Sequence, residues 1–270
     1  PRSPSRSARG STSASSGHGA TPHAELAPQL DHRVPLLTGV VMYSERTPEE
    51  RARSAPRGGQ PPSHWAHNAA LLLAGDGRVL GSYDKSLLMP FTEHVPLGHW
   101  MWRVAGVNLY DMIPAAGDFF VGAPTDGVVL PHEGRDLRIG LMVCYEDIMA
   151  GFGRAIHAGR PHFIVNVTND AWFLDTSEPA LHLALATFRA IEQRVALVRS
   201  TNTGISAFVD ATGRIVAQTP TYEEATLLWD VPIVEARTTL FMRLGDWAPW
   251  CSLALVGWLA WRRRRRTARS

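Results

Sequence analysis

Three stretches of this chain bring together residue types that can do acyl chemistry. In the first, Cys144 ends an apolar run, Leu137-Arg-Ile-Gly-Leu-Met-Val-Cys144, and Tyr145 and Glu146 follow it. In the second, Tyr83-Asp-Lys-Ser-Leu-Leu-Met-Pro-Phe-Thr-Glu-His-Val-Pro96, Lys85 stands between a strand-like segment and an apolar run. A lysine there needs either solvent or a partner. The third is Asn166-Val-Thr-Asn-Asp-Ala-Trp-Phe173, followed by Arg199-Ser-Thr-Asn-Thr-Gly-Ile-Ser206. Taken singly, a strand-end cysteine is a small buried hydrophobe more often than a nucleophile. A reactive one needs its thiolate stabilised by nearby positive charge or a base. A lysine positioned by Glu93, Glu146 or Asp84 beside such a cysteine would suit covalent acyl transfer. Whether these groups meet is a question for the fold.

In this order the blocks resemble the nitrilase (carbon–nitrogen hydrolase) superfamily. Tyr-Asp-Lys, Pro-Phe-x-Glu-x-Val-Pro and Cys-Tyr-Glu, with Asn-Asp-Ala-Trp-Phe and Arg-Ser-Thr-Asn-x-Gly-Ile, are similar to its apolipoprotein N-acyltransferase branch, over about Leu36 to Arg262. The resemblance implies an α/β fold, an αββα sandwich, and a Glu-Lys-Cys triad. It implies Cys144 as nucleophile, Lys85 as the cation beside the thiolate and oxyanion, and Glu93 as the acid supporting Lys85. It also implies Glu146, Tyr145 and Asn68 as residues shaping the site. No cofactor and no metal is implied. The partners would be a phospholipid acyl donor, a diacylglyceryl-modified apolipoprotein acceptor and a membrane. The chain departs from the pattern with Thr92 and Leu174 where the family has glycine. It has no acid near Ala8, where the general-base glutamate is expected; Glu25 is nearest, in surroundings that do not match. Two other readings stay open: a soluble amidase of the same superfamily, and a non-catalytic remnant that lacks the triad glutamate.

The elements that would position these residues follow from pattern. Val34–Met42, Asn68–Leu73, Val79–Tyr83, Leu137–Cys144 and His162–Thr168 read as strands, with a turn at Gly75-Asp-Gly77. Apolar positions over 179–198 recur at helical spacing. The segments around Ala211-Thr-Gly213 form a hairpin. Mixed strands and helices in one chain predict a layered α/β domain, placed at 34–244.

The ends differ from this body. Residues 1–33 form a Ser/Arg-rich segment that reads as disordered, with no acidic residue in its first 24 positions. The chain starts at Pro1, not Met, and reads as part of a longer protein without the family's N-terminal bundle of membrane helices. Trp247–Trp261 is almost wholly apolar, with aromatic residues at both ends and Arg262–Arg266 directly after. Residues 245–270 are therefore expected to form a C-terminal transmembrane helix with a basic cytoplasmic tail. That would place the catalytic domain at the periplasmic face of a bacterial inner membrane. The net charge of +2 depends on the arginine tail, and the body is mildly acidic, so no nucleic-acid surface is indicated. The two cysteines, Cys144 and Cys251, cannot build a disulfide framework.

Overall fold

In the computed structural model, which describes residues 34–57, 60–123, 127–174 and 176–267, the apolar runs become strands of two sheets. The segment 1–33, read above as disordered, lies outside the described residues, as does Glu25. The smaller sheet is an antiparallel meander of β1 (Leu36–Glu45), β2 (His64–Leu73) and β3 (Val79–Asp84). The larger has six strands in sequence order: β4 (Val128–His132), β5 (Arg135–Val143), β6 (Phe163–Thr168), β7 (Ala196–Thr201), β8 (Ala207–Val209) and β9 (Ile215–Gln218). Its centre, β5–β6–β7, is parallel, with antiparallel pairs at both flanks. Parallel strands are covered on both faces, which is why β5 and β6 are continuous apolar runs rather than alternating ones.

The two sheets pack face to face. Ala70, Leu72 and Tyr83 of the small sheet share one core with Val128, Ile139, Leu141, Val143, Val165 and Val167 of the large one. Gly81 permits the closest approach: a Cβ there would lie 2.8 Å from Val128 Cγ1. On the opposite face of the large sheet, Gly140 takes Ile156 of helix α4 (Ala150–Ile156). Helix α5 (Glu178–Gln193) buries Leu183, Ala186 and Ala190. Small sheet, large sheet and this helical layer are the β–β–α part of the expected αββα sandwich. Three short helices, α1 (Pro48–Arg53), α2 (Gly98–Ala105) and α3 (Leu109–Met112), belong to the long excursions after β1 and β3. There Ala55, Val95, Tyr110 and Ala116 form a second, small core.

Two expectations need correction. The helix anticipated over 179–198 stops at Gln193, because Arg194 takes a left-handed conformation (φ 58°) as its cap. The β-branched and aliphatic residues that follow pair with β6 as β7 instead. The C-terminal segment does form a helix, α7 (Trp247–Thr267), after the short α6 (Leu240–Leu244). Among the described residues, however, no helix is long and apolar enough to cross a membrane. The apolar part of α7 rises only about 22 Å at ~1.5 Å per residue, against a hydrocarbon core of ~30 Å. Its arginines continue the same helix, with Arg262 and Arg265 stacked over the Trp258 and Trp261 rings at 4.6 and 4.0 Å. The orientation inferred from a spanning helix loses its basis with it.

Candidate active site

The parallel strands β5, β6 and β7 end on the same edge of the large sheet, and the chemically capable residues cluster there, as in open α/β sheets generally. Val143 ends β5. Cys144 turns the chain sharply with φ 51° and opens a 3-10 turn, Cys144–Ile148. The left-handed region is unfavourable for a residue with a Cβ and costs about 1–3 kcal/mol, so surrounding contacts must hold it. The thiol is free and partly exposed.

Those contacts come largely through Glu146. Its side chain is wholly buried, and Oε1 accepts the Tyr83 hydroxyl at 2.6 Å, Ser86 N at 2.7 Å, Leu87 N at 3.0 Å and Ser86 Oγ at 3.2 Å. Oε2 accepts Val143 N at 2.8 Å. Burial pushes the Glu146 carboxyl above the usual carboxylate range, and the donors from Tyr83, Leu87, Val143 and Ser86 pull it back. The same burial and the adjacent carboxylate push the Tyr83 phenol well up, so it stays a donor. One carboxylate thus ties the turn that carries Cys144 to the residues directly after Lys85.

Lys85 follows β3, and only 1% of its side chain is exposed. It donates to Glu93, with Nζ 2.9 Å from Oε1 and 2.8 Å from Oε2. Glu93 is fixed in turn by Asn68 Nδ2 at 2.8 Å from β2 and by Met89 N at 2.8 Å. A buried lysine with one hydrogen-bonded carboxylate is a compensated charge. Of the acids considered beside Lys85, Glu93 is its partner and Glu146 holds the neighbouring backbone. Asp84 instead lies 3.3 Å from His67 Nδ1. Tyr145 is partly buried in the Cys144 turn. Tyr83 and Ser86 received no role from sequence reasoning, although Tyr83 opens the quoted lysine block. Its placement two residues before the lysine was the available signal.

On the helical side of the same turn, Asp147, Asp170, His182 and Arg199 form a buried cluster that sequence reasoning did not assemble. Asp147 Oδ1 faces His182 Nε2 at 2.7 Å, and Asp147 Oδ2 accepts from Arg199 Nη1. Arg199 Nη2 donates to Asp170 Oδ2 at 3.0 Å, and His182 Nδ1 faces Asp170 Oδ1 at 3.1 Å. The ligand-capable atoms of Asp170, Glu178 and His182 lie within 4.8 Å of one another. Both His182 nitrogens already face carboxylates and Arg199 brings a fixed positive charge, so the donor set is an ion-pair cluster and does not suit a cation.

Comparison with known proteins places these elements in context. The family described as carbon-nitrogen hydrolase matches residues 36–239. An apolipoprotein N-acyltransferase of Geobacter metallireducens is 38% identical over 200 residues, covering 73% of this chain and 36% of that protein. One of Rhodopseudomonas palustris is 35% identical over 242 residues, covering 90% of this chain and 42% of that protein. The chain therefore spans well under half the length of these curated relatives. The crystal structure of a carbon-nitrogen hydrolase from Helicobacter pylori G27 aligns with a TM-score of 0.49 at 15% identity, covering 75% of this chain and 64% of that one.

Proposed function

The chain belongs to the carbon-nitrogen hydrolase family, and from that premise we propose that it carries the acyl-transfer centre of an apolipoprotein N-acyltransferase, with Cys144 as nucleophile. The observation that carries this reading is the buried Lys85–Glu93 pair, joined through Glu146 to the turn of a strand-end cysteine.

In this reading the Cys144 thiolate attacks the ester carbonyl of a phospholipid. The ester C–O bond breaks, the lysophospholipid leaves as an alkoxide that takes up a proton, and the acyl group rests on sulfur as a thioester. The α-amine of a diacylglyceryl-modified apolipoprotein then attacks the same carbonyl. It gives up a proton, the C–S bond breaks and an amide remains. Each step passes through an oxyanion, and in this reading Lys85 is the preorganised cation that meets it. Glu93 holds that lysine in place, Asn68 fixes Glu93, and Tyr145 lines the approach. Covalent catalysis divides one hard transfer into two easier ones. Both substrates are lipids, so the centre works at a membrane, in this reading the bacterial inner membrane.

The test uses a full-length protein containing this chain, incubated with phospholipid and read by mass spectrometry. One acyl mass should appear on the Cys144 peptide, hydroxylamine should remove it, and a diacylated lipopeptide should convert it to an amide. An adduct on Cys251, undiminished transfer by Cys144→Ala, or hydrolysis of simple amides without transfer would overturn the reading.

A further inference from the structure

Cys144 is held from two sides. Glu146 points toward the lysine loop, while its neighbour Asp147 points into the helical layer and meets the cluster described above. That cluster is a closed ring in which acids and bases alternate: Asp147, Arg199, Asp170, His182 and back to Asp147. Its members come from the Cys144 turn, from β7, from the segment after β6 and from α5. No side chain in it is more than 4% exposed. Asn166 of β6 adds a hydrogen bond to Arg199 Nη1 at 2.7 Å. Gly204 leaves the room, since a Cβ there would fall 2.1 Å from Asp170 Oδ2. The ring thus pins the nucleophile turn to β6 and β7, the other two parallel strands, and to the helix above them.

The charge count fixes what His182 must be. Two carboxylates and one guanidinium leave one negative charge uncompensated, and an unpaired buried charge is strongly unfavourable. Protonated His182 donates from both nitrogens, one to each carboxylate, and makes the ring neutral. Neutral His182 would turn a lone pair toward one of them. The charged and titratable groups around the imidazole are Asp147 on the turn, Asp170 after β6, Arg199 on β7 and, on its own helix, Glu178 at 3.8 Å.

We propose that His182, as an imidazolium bridging Asp147 and Asp170, is a positioning residue for the Cys144 nucleophile, so that losing its proton loosens the turn and slows acyl transfer. The inference rests on Cys144 being the nucleophile. Burial opposes the cation, but the hydrogen bonds to Asp147 and Asp170 outweigh it and push His182 up to about 9, so the loosening falls on the alkaline side.

The experiment uses the full-length enzyme with phospholipid and a diacylated lipopeptide, comparing wild type, His182→Gln, His182→Lys and, as reference, Cys144→Ala. His182→Gln should lose kcat about 10- to 100-fold with KM within about twofold, while still melting cooperatively. His182→Lys restores a cation and should recover a substantial part of kcat, with the alkaline fall moved upward. In wild type, thioester formation in a single turnover should fall above pH 9 while iodoacetamide still alkylates the Cys144 thiol. Equal kcat in wild type and His182→Gln, equal loss in the Gln and Lys variants, or a loss confined to KM would overturn the proposal. Should neither variant fold, wild-type thioester formation that stays level to pH 10 overturns it. Activity surviving Cys144→Ala would instead overturn the nucleophile assignment, which separates the two failures.

Discussion

The Glu146 carboxylate, two residues after Cys144, accepts the backbone N–H of Leu87, two residues after Lys85, at 3.0 Å. Two segments nearly sixty residues apart in sequence are thereby held as one site. The same oxygen takes Ser86 N and the Tyr83 hydroxyl, so the carboxylate acts as a local template for the lysine loop.

Replacing that template should show in stability and activity together. Glu146→Gln turns an amide N–H₂ toward donors that need an acceptor, and should cost on the order of 2–3 kcal/mol. Tyr83→Phe deletes a single donor and should cost less, about 1.5 kcal/mol. Denaturant unfolding of the two variants beside wild type checks the order. A Glu146→Gln protein as stable as Tyr83→Phe would show that the backbone donors find other partners.

Glu93→Gln should separate fixation of Lys85 from folding. It removes the negative partner of a cation that is 1% exposed, and breaking such a pair costs about 3–5 kcal/mol when the remaining charge stays buried. Transfer should fall by about two orders of magnitude through loss of the ordered cation. Glu93→Asp keeps the charge but shortens the reach, and should recover melting temperature more than rate. Single-turnover thioester formation and thermal melting, measured on the same samples, supply the comparison.

The fit of the two sheets makes a purely structural prediction. In Gly81→Ala the new methyl lies 2.8 Å from Val128 Cγ1, and overpacking of this kind costs about 1–3 kcal/mol. Val128→Ala alone opens a cavity. Combined, the two substitutions should be less destabilising than their sum, and a double-mutant cycle by urea unfolding reads the coupling directly. Strict additivity would mean that the sheets separate elsewhere to make room.

His182 also predicts the pH dependence of stability. Its folded pKa, about 9, lies above the ordinary histidine value of 6.5. The contribution is therefore complete below about pH 6.5, declines while only the folded state keeps the proton, and is gone above about pH 9. Over that window the unfolding free energy should drop by something on the order of 3 kcal/mol. In His182→Gln the drop should be absent and stability at pH 6 lower. Unfolding curves at pH 6, 7.5 and 9 decide this.

Much of this molecule was legible in the order of its residues. The runs that became β5 and β6 declare themselves because a strand buried on both faces must be apolar throughout, and the Ala-Leu-rich run of β2 is legible for the same reason. The turn at Gly75-Asp-Gly77 and the hairpin at Ala211-Thr-Gly213 declare themselves because glycine serves the left-handed positions, as Gly77 and Gly213 do. The lysine and cysteine blocks each carry a local motif. Tertiary structure decided the rest. Residues 194–198 continue a helical apolar period, yet a left-handed Arg194 and an open place beside β6 turn them into a strand. The C-terminal apolar run forms a helix of its own, but its apolar length, set by the onset of the arginines, falls short of a bilayer. The ring of Asp147, Asp170, His182 and Arg199 was invisible for a simpler reason. Its members sit on a turn, a loop, a helix and a strand, and charge pairing across such distances in sequence leaves no periodicity to read. Only packing the helical layer onto the large sheet removes them from water, and only then must their charges balance one another.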